Sequence, residues 1–221
     1  MAGWKDAIVA RFPGRQTRDL HFRNLKHDQK VVVCQEIAKL PIGVCVTLSH
    51  KVTIIGTKFE ATFKRKGFLY NYMIRWLLER VTFACQTAAA PDEAKLRVIF
   101  SRRGGTDYQS MMAYMALMRD GREATRSVRS IDWKVLDIND IAVENHSKWA
   151  GLQIADCATS AFFSAVEPNH YGNYEPAYAR TLRPNLVKRK GVILGCGLTP
   201  VPSMAACQAD DRQYAFFDEH R

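Results

Sequence analysis

The most unusual position of the chain is an aspartate inside an apolar helical segment, SKWAGLQIADCATSAFF, residues 147–163. Asp156 has Ile154 and Cys157 as close neighbours. An ionised carboxylate in apolar surroundings is costly unless a partner compensates its charge. A hard divalent cation such as Mg²⁺ is one such partner, because it prefers carboxylate oxygens. The alternative is a carboxylate that caps backbone groups or pairs with a nearby lysine or arginine.

Further acids lie just ahead of this segment. Asp137 stands near the end of SIDWKVLDI, residues 130–138, which we predict to be a strand. Ligand sites of α/β proteins tend to lie beyond the carboxyl ends of strands, so Asp137 is a candidate second ligand. Asp132 and Asp140 are more typical of solvated turn and cap groups.

Two arginines follow another predicted strand in FSRRGGTDYQ, residues 100–109. Arg102 and Arg103, together with backbone amides at the start of the next helix, would favour a phosphate. The segment matches no nucleotide-binding fingerprint, and a tight turn with solvated arginines explains it equally well. The basic run KFEATFKRKG, residues 58–67, is compatible with a nucleic-acid contact or with a solvated approach to a helix.

Composition narrows the class of protein. The 32 lysines and arginines against 22 acids give a formal net charge of +10, which favours a nucleic-acid partner or an indifferent basic surface. Six scattered cysteines without a C-x-x-C pair predict buried thiols and a cytoplasmic location. No apolar run reaches the roughly 18 residues of a membrane span, so we expect no membrane contact. The histidines show no zinc-like spacing, and no Ser-His-Asp or Cys-His arrangement follows from spacing.

Hydrophobic periodicity predicts a single α/β domain over residues 1–221, with a largely parallel sheet and a C-terminal tail at 202–221. The order after the first two helices is β–α–β–α–β–α, and a further extended piece is expected near 191–202. The predicted strands are 43–54, 95–101 and 130–138, and the predicted helices are 4–12, 27–40, 67–89, 106–120, 147–163 and 178–182.

The segments DLHFRNLKHDQ, FSRRGG and SKWAGLQIADCATSAFFSAVEP together resemble the domain-of-unknown-function family numbered 3800. The resemblance covers about residues 17–201. It implies an RNase H-like fold, a mixed sheet flanked by helices, whose C-terminal signature helix reads roughly G-L-Q-L-A-D. In such nucleases carboxylates hold two divalent ions that cleave phosphodiesters. The resemblance therefore implies that Asp156 binds Mg²⁺ or Mn²⁺, with Asp19 and His21 as further site groups.

The predicted substrate contacts are to nucleic acid, and they come from Arg102, Arg103, Lys148, Gln153 and His21. We expect a metal-dependent nuclease or a nuclease-derived domain. The alternative is a non-catalytic module that binds nucleic acid or another protein.

One family feature has no counterpart here. Relatives usually begin with a strand ending in D-E-S-G, whose first acid is the central ligand, and this sequence has no D-E-S-G. Ser101 also stands where many relatives carry an acid. We expect either an incomplete gene product or a natural short form with weak or no cleavage. In both cases the strand at 43–52 would lack a neighbour along one edge, which favours homo-oligomers.

Overall fold

The computed structural model describes residues 6, 20–88, 94–122 and 131–221. The predicted helix over 4–12, apart from Asp6, and the candidate ligand Asp19 lie outside the described residues. Contacts divide the chain into two compact units. Of the described residues, unit 1 comprises 6, 20–46, 144–198 and 209–221, and unit 2 comprises 47–88, 94–122, 131–143 and 199–208.

The architecture is mixed α/β. The described helices are α1 (His27–Ala38), α2 (Glu60–Phe63), α3 (Phe68–Ala88), α4 (Tyr108–Arg119), α5 (Ala150–Val166), α6 (Ala177–Leu182) and α7 (Asp211–Asp218). The described strands are β1 (Val46–Ser49), β2 (Ile99–Ser101), β3 (Ala142–Glu144) and β4 (Leu198–Val201). Short 3₁₀ turns connect several of these elements. None of the helices in the described ranges has the length and apolar character needed to cross a membrane.

The strands form two separate two-stranded parallel sheets, β1 with β4 and β2 with β3, where the sequence predicted one continuous sheet. β1 is shorter than the strand predicted over 43–54, because residues Lys51–Ile54 form a 3₁₀ turn. β4 confirms the extended piece expected near the C-terminus. Within the described ranges β4 is the strand neighbour of β1, and association through the other edge stays a prediction.

The prediction of a strand over 130–138 is wrong for residues 131–138, which the structure describes. The Asp132 carboxylate accepts the Lys134 N–H at 2.8 Å, and the Asp132 carbonyl accepts the N–H groups of Val135 and Leu136 at 3.2 Å. Aspartate offers the backbone such local partners, and these turns compete with a strand ladder. The described part of this segment forms one isolated β-bridge, between Leu136 and Leu96. The strand β3 begins later, at Ala142.

The long helices match the prediction closely, and α1, α3 and α4 deviate by one or two residues at their ends. α5 begins at Ala150, because residues 146–148 form a 3₁₀ turn. The segment predicted as a C-terminal tail contains α7, which the Asp210 carboxylate caps by accepting the Gln213 N–H at 2.9 Å. Phe216 and Phe217 of α7 are buried.

The faces of α5 differ from those that helical spacing predicts. The spacing predicts Gln153, Asp156 and Ser160 on one face, and Leu152, Ala155, Thr159 and Phe162 or Phe163 on another. Instead Gly151, Ala155, Thr159 and Phe163 form an exposed stripe at four-residue spacing, and Gln153 is completely buried. Small and hydroxyl side chains carry little periodic information, so the apolar pattern alone misplaced the face.

α5 is the central helix of unit 1. It packs against α1, α6 and α7. Phe162 has no exposed surface, and its ring meets the Phe216 and His220 rings with centroids 6.3 Å apart in each case. Burial lowers the pKa of His220, whose Nδ1 lies 2.8 Å from the Phe216 carbonyl oxygen.

Unit 2 has its own apolar core. The core joins α3, α4 and the loop after residue 131, through the buried side chains of Ile74, Leu78, Met111, Met115, Ile131 and Leu136. α3 also buries an ionic group, in which Arg75 Nε lies 3.7 Å from one Glu79 oxygen and Arg80 Nη1 lies 2.6 Å from the other. Burial raises the pKa of Glu79, although both arginines oppose the shift.

All six cysteines lie in the described ranges, and the structure shows them as thiols, with Cys34, Cys157, Cys196 and Cys207 buried. Burial raises the pKa of Cys34 to about 12 and that of Cys157 well above its ordinary value. Both thiols are therefore protonated and chemically inert at neutral pH.

Adjacent phenylalanines on α5 offer a matched test of this packing. Phe162→Ala should reduce the free energy of unfolding by about 3–5 kcal/mol, because it leaves a cavity against α7. Phe163→Ala should change it by less than about 1 kcal/mol, because Phe163 is 54% exposed. Urea unfolding followed by circular dichroism measures both variants. Equal losses would contradict the placement of α7 on α5.

Candidate metal centre

A buried amide on α5 organises the site. Gln153 Oε1 accepts the Leu20 N–H at 3.2 Å, and Gln153 Nε2 donates to the carbonyl oxygens of His146 and Ser147 at 3.4 and 3.5 Å. Buried amides require such partners, since an unpaired polar group in the interior is costly. One side chain thus holds two distant backbone segments against α5.

His146 is oriented by one of these segments. Its Nε2 lies 2.9 Å from the Leu20 carbonyl oxygen. A carbonyl oxygen only accepts, so Nε2 carries the proton in this contact and Nδ1 of the neutral ring keeps its lone pair. Histidines that bind metals usually donate their second ring N–H to a carbonyl or carboxylate in this way.

His21 lies beside His146. The two imidazole rings stack with centroids 4.2 Å apart and planes 12° apart. His21 Nδ1 lies 3.9 Å from Asp156 Oδ2, which also accepts the Phe22 N–H at 3.2 Å. The Asp156 side chain is 36% exposed, so solvent and small ligands reach it.

His21, His146 and Asp156 therefore form a half-buried triad, in which one ligand atom of each residue lies within 4.8 Å of the others. A tetrahedral ion with bonds of about 2.1 Å holds its ligands about 3.4 Å apart. Side-chain movements of roughly an ångström would bring the three ligand atoms to the separation that a bound ion requires. Two imidazoles and one carboxylate suit Zn²⁺, Mn²⁺ or Fe²⁺ better than Mg²⁺, which prefers oxygen ligands.

Among the predicted site residues, the structure brings together Asp156 and His21. Gln153 has no exposed surface and serves to position backbone segments. Lys148 Nζ lies 2.9 Å from both Glu144 oxygens, and Lys148 remains exposed. Asp137 belongs to unit 2, where its carboxylate accepts the Asn139 N–H at 2.9 Å.

The predicted phosphate-binding arginines also belong to unit 2. Arg102 Nη2 donates to the Val143 carbonyl at 3.2 Å, and the Arg103 guanidinium lies 5.6 Å from the centre of the Tyr70 ring. Their predicted contact with nucleic acid stays a prediction.

His146 is the member of the candidate triad that residue spacing does not reveal. It precedes α5 and shares no helical spacing with Asp156, and it is distant in sequence from His21. Its proximity to His21 and Asp156 depends on the Gln153 contacts, which no spacing rule encodes.

Comparisons with protein-family models, curated proteins and solved structures find no match to this chain.

The organising role of Gln153 is testable by substitution. Gln153→Leu leaves the Leu20 N–H and the His146 carbonyl without these partners, so we expect a loss of about 1–3 kcal/mol in the free energy of unfolding. Gln35→Leu is the control, because Gln35 is exposed on α1, and it should change stability by less than about 0.5 kcal/mol. Chemical denaturation measures both. A Gln153→Leu protein as stable as the parent would show that the amide does not hold these segments.

Proposed function

We propose that His21, His146 and Asp156 bind one divalent transition-metal ion and that this centre hydrolyses phosphodiester bonds in nucleic acid. The observation that supports the proposal is the triad itself: two stacked imidazoles and a carboxylate, with ligand atoms within 4.8 Å of one another. Two imidazoles and a carboxylate from distant segments form a donor set of the kind that divalent transition metals bind.

Three protein ligands leave a coordination position open, so a bound ion would supply a Lewis acid to which water or a phosphoryl oxygen has access. The chain contributes the rest. The Leu20 carbonyl fixes the tautomer of His146, and the Phe22 N–H holds one Asp156 oxygen. With an ion bound, the second Asp156 oxygen would orient an attacking water.

Nucleic acid is the substrate class that the charge supports. The formal net charge of +10 would attract a polyanion and make binding weaken steeply with salt. The proposal keeps the RNase H-like relationship implied by the GLQIAD segment, with Asp156 as its contribution to the site. In this chain the two histidines would take the place of the first-strand acid that D-E-S-G supplies in relatives.

Metal binding is the first test. Titration calorimetry should show one ion per chain for Zn²⁺ or Mn²⁺, with much weaker binding of Mg²⁺. His146→Ala removes one of three ligands, and Asp156→Asn replaces the charged ligand by a neutral amide. Each should weaken the affinity by at least about tenfold to a hundredfold, the loss that removal of an outer-shell partner already causes. Asp156→Asn keeps an oxygen for the Phe22 N–H, so its fold should be retained.

Two substitutions serve as controls. His170→Ala removes an exposed histidine of the same unit, and Asp137→Asn removes the acid that the sequence singled out. Both should leave the affinity unchanged. Equal weakening by His170→Ala and His146→Ala, with folding intact by circular dichroism, would contradict the triad.

Cleavage is the second test. Fluorescently labelled single- and double-stranded DNA and RNA, incubated with the metal-loaded protein, should be cut in a reaction that chelation abolishes. His21→Ala and Asp156→Asn should reduce the rate by at least about a hundredfold. Salt-sensitive binding without cleavage, unaffected by Asp156→Asn, would instead support the non-catalytic module.

A further inference from the structure

A second site candidate lies wholly within unit 2. A cavity of about 410 Å³ opens between the start of α3 and the loop that joins β2 to α4. The loop contributes Arg103 and Gly104 to Thr106, and the α3 side contributes Lys66, Gly67, Tyr70 and Asn71. Cavities of about 300–1,000 Å³ accommodate small organic ligands, so a nucleotide fits in size.

Two cationic side chains line this cavity. Lys66 is exposed and has no ion-pair partner within the described ranges, unlike Lys64, whose Nζ lies 2.6 Å from a Glu60 oxygen. Arg103 is held over the Tyr70 ring, and the Arg103 N–H donates to the Tyr108 hydroxyl at 2.8 Å. The backbone of the loop is thus anchored, and the Arg103 guanidinium lies over the Tyr70 ring, which forms part of the cavity wall.

Backbone groups add to the positive character. α3 and α4 both begin at the cavity, and the N-terminal turns of helices favour anions. Gly105 has a φ of +77°, which bends the loop so that consecutive amides can face one ligand. A Cβ built at Gly104 or Gly105 meets no atom within 4 Å, so this side of the loop is open.

Asp107 is the acid of the cavity lining, and it opposes an anion. Its carboxylate accepts the Ser110 N–H at 3.0 Å and so caps α4. The remaining lining carries two cations against this one acid. The net charge of the lining is therefore positive. Asp107 should weaken the binding of an anion, whereas Lys66 and Arg103 should strengthen it.

We propose that this cavity binds the phosphate group of a nucleotide, either free or at the end of a nucleic-acid strand. Lys66 and Arg103 would neutralise the phosphate, and the Gly104–Gly105 amides would donate to its oxygens. The proposal does not depend on the metal centre, since every lining residue belongs to unit 2.

The test titrates the full chain, freed of metal by chelation, with adenosine 5′-monophosphate, adenosine and inorganic phosphate at constant ionic strength. Calorimetry should detect adenosine 5′-monophosphate and phosphate but not adenosine. Two oligonucleotides that differ in a 5′-phosphate then distinguish the sources: tighter binding of the phosphorylated strand assigns the site to strand ends, and tighter binding of the mononucleotide assigns it to free nucleotides.

Matched variants locate the binding. Lys66→Gln and Arg103→Gln should each weaken the binding of adenosine 5′-monophosphate by about tenfold, since charge-assisted hydrogen bonds are lost. Asp107→Asn should strengthen it, because asparagine still caps a helix but carries no charge. Lys51→Gln, which removes an exposed lysine of unit 2 outside the cavity, should have no effect.

Three results would overturn the proposal: undetectable binding of adenosine 5′-monophosphate, equal weakening by Lys51→Gln and Lys66→Gln, or weaker binding by Asp107→Asn with an unchanged melting temperature. The first excludes the site, the second indicates diffuse electrostatic attraction, and the third places the ligand elsewhere. Since chelated protein is used, failure of the metal proposal leaves these readouts unchanged.

Discussion

The geometry of the candidate metal centre depends on the hydrogen bonds of the Gln153 amide. A completely buried amide has to satisfy its oxygen and its nitrogen inside the protein. Gln153 does so with backbone groups at Leu20, His146 and Ser147. These groups directly adjoin both histidines of the triad. The hydrogen bonds that satisfy this buried amide therefore also bring together the side chains of the candidate metal centre.

A purely structural role explains the carboxylate of Asp156 poorly. Within the described residues its backbone partner is the Phe22 N–H, and a hydrogen bond of that kind contributes about 0.5–1.5 kcal/mol. A neutral asparagine or serine would accept that N–H without placing a charge beside two imidazoles. The proposed cation, bound between the stacked rings of His21 and His146 and the Asp156 carboxylate, would give all three side chains a common partner.

Helices with strong hydrophobic periodicity could be predicted from the sequence, whereas segments in which side chains compete for backbone hydrogen bonds could not. α3 and α4 carry enough regularly spaced apolar residues to define them. Asp132 captures the amides of the segment predicted as a strand, so apolar residues there form turns. Asp156 was singled out because a charge in an apolar run is visible in one dimension. His146 was not, since its role arises from contacts between segments that the sequence separates widely.

The histidine pair also changes the chemistry expected from the GLQIAD aspartate. Two-ion nucleases of the RNase H type rely on several carboxylates, whose combined negative charge offsets two hard cations. If the triad binds an ion as proposed, it would supply one carboxylate and two imidazole nitrogens. One carboxylate would balance a divalent ion incompletely and would leave it a stronger Lewis acid toward water or a phosphoryl oxygen. A single ion with imidazole ligands requires no acid from a D-E-S-G strand. The absence of that motif is therefore compatible with a working centre at Asp156, provided that the metal is one that imidazole nitrogens bind.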